Sequence, residues 1–280
     1  MKLLRSLALA LALGTGAINA HAGNVLIVLS DSDRLDLKDG MLFKTGFYLN
    51  ELMQPVKALL EAGHDVTFAT PKGTAPSVDK TSIEKMYFGG DEAEFKDSEK
   101  QLSELGLLSS GRSPVVSLAR IEQIGYDHFD AVYIPGGHAP MQDLLVSPDL
   151  GKLLTYFHEK GKTTALACHG PIALLSTMAD AKGFVSQFEA TGTADATADW
   201  IYAGYKLTVF SNREEEMAKG LLNGGEMKFY PQHALTQAGG RFSRAEAPFA
   251  AHVIVDRELV TGQNPASAPA LAQELLSRLR

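Results

Sequence analysis

The amino-acid sequence predicts an α/β protein built on a doubly wound, mainly parallel sheet. Three observations lead there. Short, nearly continuous apolar runs recur at Asn24–Ser30, Ala131–Pro135 and Thr163–Ala167, as expected of parallel strands covered on both faces. Stretches with helical periodicity separate such runs. The third run leads straight into Cys168-His169-Gly170-Pro171, a strand-to-helix turn of the kind that exposes a reactive side chain above such a sheet.

Taken in order, Asn24–Ser30 is followed by a polar stretch from Asp31 to Lys44 and then a helix over Pro55–Ala62. Val56, Leu59 and Leu60 share a face of that helix, Pro55 suits its first turn and Gly63 ends it. Glu51 thus falls at or just before the helix N-terminus. His64–Thr70 is the next strand, completing a β-α-β unit with a right-handed crossover. From Thr74 to His128 the chain is polar, holds the charged run Asp91–Lys100 and shows little period. It reads as an excursion from the core, either a small inserted cap or an ordinary surface insertion. Alternation resumes with Ala131–Pro135, a helix over Pro148–Lys160 closed by Gly161, and the strand Thr163–Ala167. Gly170–Met178 reads as a helix with Pro171 in its first turn, Tyr205–Phe210 as a strand, and His252–Asp256 with Glu258–Thr261 as a hairpin. Ala266–Arg280 closes the chain as an amphipathic helix.

The first 22 residues stand apart. Lys2 and Arg5 precede the apolar run Leu7–Leu13, which leads to the small-x-small pattern Ala20-His21-Ala22. This is the layout of a secretory signal peptide, and the run is too short to span a bilayer. Cleavage after Ala22 would leave one domain, residues 23–280, exported to the periplasm or secreted, with no membrane segment. Losing Lys2 and Arg5 takes the 26 basic residues to 24 against 33 acidic ones, a net charge of −9. An acidic chain without a basic stripe excludes nucleic acid as the expected partner. Cys168 is the single cysteine, so no internal disulfide can form.

Three groups of residues carry the chemistry. At the elbow, Cys168 is expected to adopt a strained backbone, with its thiol pKa lowered by the positive end of the following helix. The bland alternative is a small buried hydrophobe. His169 can direct its imidazole into the same pocket and move a proton; a loop hydrogen bond is the simpler alternative. The second group is Tyr133-Ile134-Pro135-Gly136-Gly137-His138. Glycines there let backbone N–H groups approach a ligand closely and, with the N–H of His169, form an oxyanion hole. The third is Gly46–Glu51 before Pro55, where an acidic residue is most often a simple helix cap.

Four blocks in the same order resemble the ThiJ/PfpI family of the class I glutamine amidotransferase-like superfamily. They are Gly46–Pro55, Tyr133–Asp143 (YIPGGHAPMQD), Ala167–Leu174 (ACHGPIAL) and Glu258–Ala268 (ELVTGQNPASA). The insertion and the Cys-His pair resemble the branch of heat-shock chaperones and glyoxalase III-type enzymes. The resemblance implies a flavodoxin-like sandwich, a homodimer and no cofactor or metal. It implies Cys168 as nucleophile, Glu51 as the carboxylic acid at its sulfur, His169 as the adjacent catalytic histidine, and Glu215 as the acid that orients His169, with Glu214 a close second. Gly136, Gly137 and His169 would supply the oxyanion and substrate-binding site. The implied reaction is thiolate addition to a 2-oxoaldehyde such as methylglyoxal, giving a 2-hydroxy acid, or a related deglycation. A holdase chaperone, a redox sensor and a Cys-dependent amidase or peptidase are the competing functions.

Overall fold

A computed structural model describes residues 22–195 and 199–279. The expected signal peptide, residues 1–22, lies outside them except for Ala22. Among the described residues no helix is long and apolar enough to cross a membrane.

Strand β1 (Asn24–Val28) leads into a small hairpin, β2 (Arg34–Asp36) and β3 (Leu42–Lys44), then helix α1 (Leu49–Glu61) and strand β4 (Asp65–Thr70). Helix α2 (Glu92–Leu105), strand β5 (Val116–Ser117) and helix α3 (Leu118–Ile124) precede β6 (Ala131–Ile134), α4 (Pro148–Glu159) and β7 (Thr163–Ala167). After a 3-10 helix at Gly170–Thr177 come α5 (Ala181–Thr191), β8 (Lys206–Leu207), α6 (Asn212–Ala218), α7 (Pro231–Gln237) and β9 (Arg241–Phe242). The hairpin β10 (Val253–Asp256) and β11 (Leu259–Gly262) and helix α8 (Ala268–Arg278) complete the chain.

The main sheet has seven strands in the order β10-β11-β7-β6-β1-β4-β5. All its pairings are parallel except β10 with β11. Side chains alternate across a strand, so Val25 and Ile27 of β1 face a core formed with α1 and α8, while Leu26 and Val28 face α3 and α4. That double cover is why β1 reads as an unbroken apolar run. The chain winds outward from β1 through β4 to β5, then returns to β6 on the other side. Ligands of open α/β sheets bind at such a reversal, beyond the carboxyl ends of the strands. Glu51, Gly136 and Cys168 all follow strands of this central region.

Four differences from the sequence expectation have physical causes. Helix α1 begins at Leu49 rather than at Pro55, which sits inside it. Proline lacks the N–H that would bond the carbonyl of Glu51 four residues back. The Tyr133 hydroxyl of β6 donates to that carbonyl instead, at 2.6 Å. In the region 74–128, Asp91 caps α2 through the N–H groups of Ala93 and Glu94. The helix buries only Phe95, Ser98 and Leu102, a stripe too narrow to register as a period. Residues 116–124 belong to the core, since Val116 pairs with Ala69 at the sheet edge. Of Tyr205–Phe210, only Lys206–Leu207 is strand, paired with β9 outside the main sheet. Gly170–Thr177 is 3-10 rather than α-helical.

The Tyr133–Glu51 joint is open to a direct test. Tyr133→Phe strands a buried carbonyl without a donor, at roughly 1–3 kcal/mol. Thermal unfolding should show Tm lowered by roughly 2–4 °C for each of those kcal/mol; an unchanged Tm would mean the joint contributes nothing.

Candidate active site

The residue at the elbow is strained as expected: Cys168 has φ +56, a left-handed conformation that costs a non-glycine residue roughly 1–2 kcal/mol. Both of its backbone groups are held. Its N–H donates to the Gly262 carbonyl at 2.8 Å, and its carbonyl accepts from the Phe210 N–H at 2.9 Å. Strand β11 and the Tyr205–Phe210 segment therefore clamp the turn, although neither lies near it in sequence.

Glu51 projects from the first turn of α1 and is fully buried. Its Oε2 accepts from the Gly136 N–H at 2.7 Å. Its Oε1 has no hydrogen-bond partner within normal reach among the described residues. The Cys168 thiol lies against the same carboxyl: their hydrogen bond favours an ionised Glu51, while the Glu51 charge disfavours a thiolate. Burial pushes Glu51 from the usual carboxylate value of 4.5 up to about 8, with the Gly136 amide opposing the shift. Glu51 is therefore protonated at neutral pH, and its O–H is available to the sulfur. Burial and the Glu51 charge also push the thiol well above its ordinary range, the reverse of the lowering expected from a helix end. The Gly137 backbone N–H works against that rise. The Glu51 repulsion disappears once its carboxyl carries a proton, so a protonated Glu51 is the condition for a thiolate here.

Gly136 and Gly137 are both required, for different reasons. A Cβ at Gly136 would stand 2.5 Å from Cys168 Cβ and 2.6 Å from Glu51 Oε2. Gly137 has φ +93, and a Cβ there would collide with the Gly46 carbonyl. The N–H of Gly136 is taken up by Glu51 and so is not a free oxyanion donor, contrary to the part expected of it. The N–H groups of Gly137 and His169 are the remaining candidates.

His169 carries its Nδ1 3.3 Å from Cys168 Sγ, and its Nε2 2.8 Å from Glu215 Oε1. The choice between the two acids is thereby geometric. Glu214 Oε2 accepts from the Ser211 N–H and hydroxyl and from Gln263 Nε2, while Oε1 accepts from Asn264 Nδ2 and the Phe249 N–H. Glu214 fastens the start of α6 to the residues after β11, and the next residue, Glu215, reaches the histidine. Burial lowers His169 to about 3 and raises Glu215 to about 8, so low polarity holds both neutral. A protonated Glu215 donates to Nε2, leaving the ring proton on Nδ1 facing the sulfur. An ionised Glu215 accepts from Nε2–H and turns Nδ1 into an acceptor for the thiol proton. Passing from the first state to the second takes two proton movements, one from Glu215 to Nε2 and one off Nδ1, and together they switch the atom that faces Cys168 from donor to acceptor.

Two aromatic neighbours of His169 were not assigned from sequence. The His138 ring lies 4.2 Å from the His169 ring, centroid to centroid, and Phe210 stacks at 4.9 Å with 26° between planes. His138 is buried, burial lowers it to about 4, and its Nδ1 has no partner among the described residues. Its place in the Gly-Gly-His end of β6 was the available signal. Ligand atoms of His138, His169 and Glu215 lie within 4.8 Å of one another, a grouping that could hold a metal ion. Cys168, His169, His138 and Tyr48 line one cavity of about 750 Å³.

A parallel α/β sheet with a strained cysteine after a central strand, a buried carboxyl at its sulfur and a His–Glu pair beside it defines a cysteine-elbow α/β protein. More particularly, the model of the DJ-1/PfpI family matches residues 40–278, and the chain belongs to that family. It is similar to a probable glutathione-independent glyoxalase of Schizosaccharomyces pombe, 29% identical over 274 residues covering 92% of this chain and 98% of the relative. It is also similar to the protein/nucleic acid deglycase HchA of Staphylococcus aureus, 27% identical over 264 residues covering 92% and 80%. Among solved structures, glyoxalase III of Candida albicans matches with a TM-score of 0.62 at 21% identity, over 92% of this chain and 98% of that one; this likeness is one of fold.

Proposed function

We propose that this protein is a glutathione-independent glyoxalase that converts 2-oxoaldehydes to 2-hydroxy acids through Cys168. The observation that carries the reading is the continuous line Glu51–Cys168–His169–Glu215, buried yet opening on one cavity. The names of two relatives agree with it. In the state with Glu215 ionised and the ring proton on Nε2, the Cys168 sulfur passes its proton to His169 Nδ1 and forms a bond to the aldehyde carbon. That carbonyl oxygen takes up a proton and a hemithioacetal results. The N–H groups of Gly137 and His169 receive the developing oxyanion. A proton then leaves the former aldehyde carbon and another is delivered to the adjacent carbon, with the His169–Glu215 pair and Glu51 as carriers. The product is a 2-hydroxy thioester. Water cleaves its C–S bond, releases the 2-hydroxy acid and restores the thiol. The same first addition would serve deglycation, as the HchA relative suggests. The proposal includes export after removal of residues 1–22, on the signal-like pattern there, and a homodimeric protein.

The test is to incubate the purified protein with methylglyoxal, without glutathione, and follow loss of dicarbonyl and gain of lactate. Stoichiometric lactate formation over many turnovers is expected. Dicarbonyl loss without lactate would point to simple adduct formation and overturn the glyoxalase reading.

A further inference from the structure

We infer that the substrates this site prefers are neutral 2-oxoaldehydes bearing an aryl group, rather than the three-carbon parent; the inference rests on the glyoxalase reading above. The first ground is size. The cavity holds about 750 Å³, within the roughly 300–1,000 Å³ of clefts that enclose drug-sized ligands. A three-carbon dicarbonyl would occupy only the part beside Cys168.

The second ground is the chemistry of the remaining wall. Met86, Met217, Leu221 and Phe249 all line this cavity while staying 70%, 59%, 39% and 42% exposed. They are half of the large apolar side chains left exposed among the described residues. They come from the loop before α2, from α6 and the turn after it, and from the loop before β10. Gathering exposed apolar side chains from three separate segments around one opening marks a binding surface. The methionines add pliable, polarisable contacts to a ring. Among the described residues no lysine or arginine lines the cavity, and Glu94 is its one lining carboxylate, accepting from Gln54 Nε2 at 2.9 Å. Such a wall disfavours anionic substrates.

The third ground is strain. Phe249 has φ +60, an outlier for a bulky side chain. Its N–H is fixed to Glu214 Oε1 at 2.8 Å. The strain does not bury the ring. It presents the ring to the cavity, 6.1 Å from Phe210, which in turn stacks on His169. Phe249, Phe210 and His169 thus form an aromatic row from the apolar rim to the proton carrier. An aryl group whose aldehyde carbon reaches Cys168 lies along that row and gains offset or edge contacts with it. Strain persisting at a residue in a site is the mark of a constraint imposed by function.

The experiment compares kcat/KM for phenylglyoxal and methylglyoxal on the full chain, subtracting the Cys168→Ala background because phenylglyoxal also adds to arginine side chains. Phenylglyoxal should be favoured by roughly tenfold or more, the discrimination an apolar pocket gives for an added apolar group. Phe249→Ala should cut that ratio several-fold, and Met217→Ala, on a different segment, should cut it as well. A wild-type ratio at or below one overturns the inference while leaving the glyoxalase reading intact. If neither compound is turned over, the glyoxalase reading fails, and alkylation of Cys168 by iodoacetamide, read by intact mass, decides the pocket. Slowing by acetophenone at concentrations where acetone has no effect would uphold aryl selectivity; equal effects would overturn it.

Discussion

Under the glyoxalase proposal, Cys168→Ala is expected to abolish turnover of 2-oxoaldehydes, with kcat/KM falling by roughly 10⁴-fold or to background, as when other nucleophiles are deleted. The fold survives. Alanine keeps the Cβ, so the strained turn and its clamps from Gly262 and Phe210 are unchanged. Removing the sulfur also ends the contest with Glu51 for a proton, so Tm should hold or rise slightly. Circular dichroism and thermal unfolding beside the lactate assay separate the outcomes. Activity retained within tenfold would exclude a thiohemiacetal mechanism. Loss of activity together with loss of fold would make Cys168 a packing residue, the bland alternative.

Glu51→Gln carries the second large effect. Glutamine preserves the hydrogen bond from the Gly136 N–H but cannot exchange a proton with the sulfur or the substrate. The expected loss in kcat is roughly 10²–10⁴-fold, the range of general acid–base catalysis. The pH dependence gives a sharper signature. Glu51 titrates at about 8 in the fold against an ordinary 4.5, so folding favours its protonated form. Its contribution to stability is fully present below about pH 4.5 and is lost as pH rises through 8. Glu51→Gln removes that dependence. The variant should gain stability relative to the wild type between those values, by an amount on the order of a few kcal/mol. Glu215 shifts in the same direction for the same reason, burial, and is present in both proteins, so the difference isolates Glu51. Wild-type activity should fall on the alkaline side of pH 8, where Glu51 ionises beside the sulfur. A stability difference independent of pH would mean that Glu51 is ionised throughout.

What was legible in the sequence followed from local rules. Strand β7 ends where Thr163–Ala167 predicted, because a strand buried on both faces declares itself by its apolar run. The elbow was legible for the same reason, since Gly170 and Pro171 must follow Cys168 closely. The start of α1 was not, because the donor that makes Pro55 tolerable inside a helix comes from Tyr133 on another strand. Helix α2 was obscured by a narrow buried stripe, and β8 by backbone bonds that go to Thr261 and Cys168 rather than to a ladder. Within the site, Cys168 and His169 were readable at their turn, whereas Glu51 read locally as a helix cap and gained its role only through the family resemblance. Glu215 was preferred over Glu214 through the family resemblance, but the local sequence held them close. Adjacent residues on a helix point in different directions, and which faces the histidine depends on where Gln263 and Asn264 arrive. The direction of the thiol shift was missed because the local helix end was weighed without the burial and the buried carboxyl that oppose it.

The clamp on the elbow bears on when the site comes into being. Cys168 is held at its strained angle by Gly262, and the helix bearing Glu215 is anchored by Gln263 and Asn264. All three holding residues lie far downstream, close to the C-terminus. A chain emerging from synthesis, or crossing a membrane unfolded, carries Cys168 long before it has them. Until β11 docks, the left-handed backbone lacks the Gly262 half of its clamp, and the helix bearing Glu215 lacks its Gln263 and Asn264 anchors. The arrangement of sulfur, carboxyl and histidine that sets this thiol apart therefore belongs to the chain in which β11 has docked.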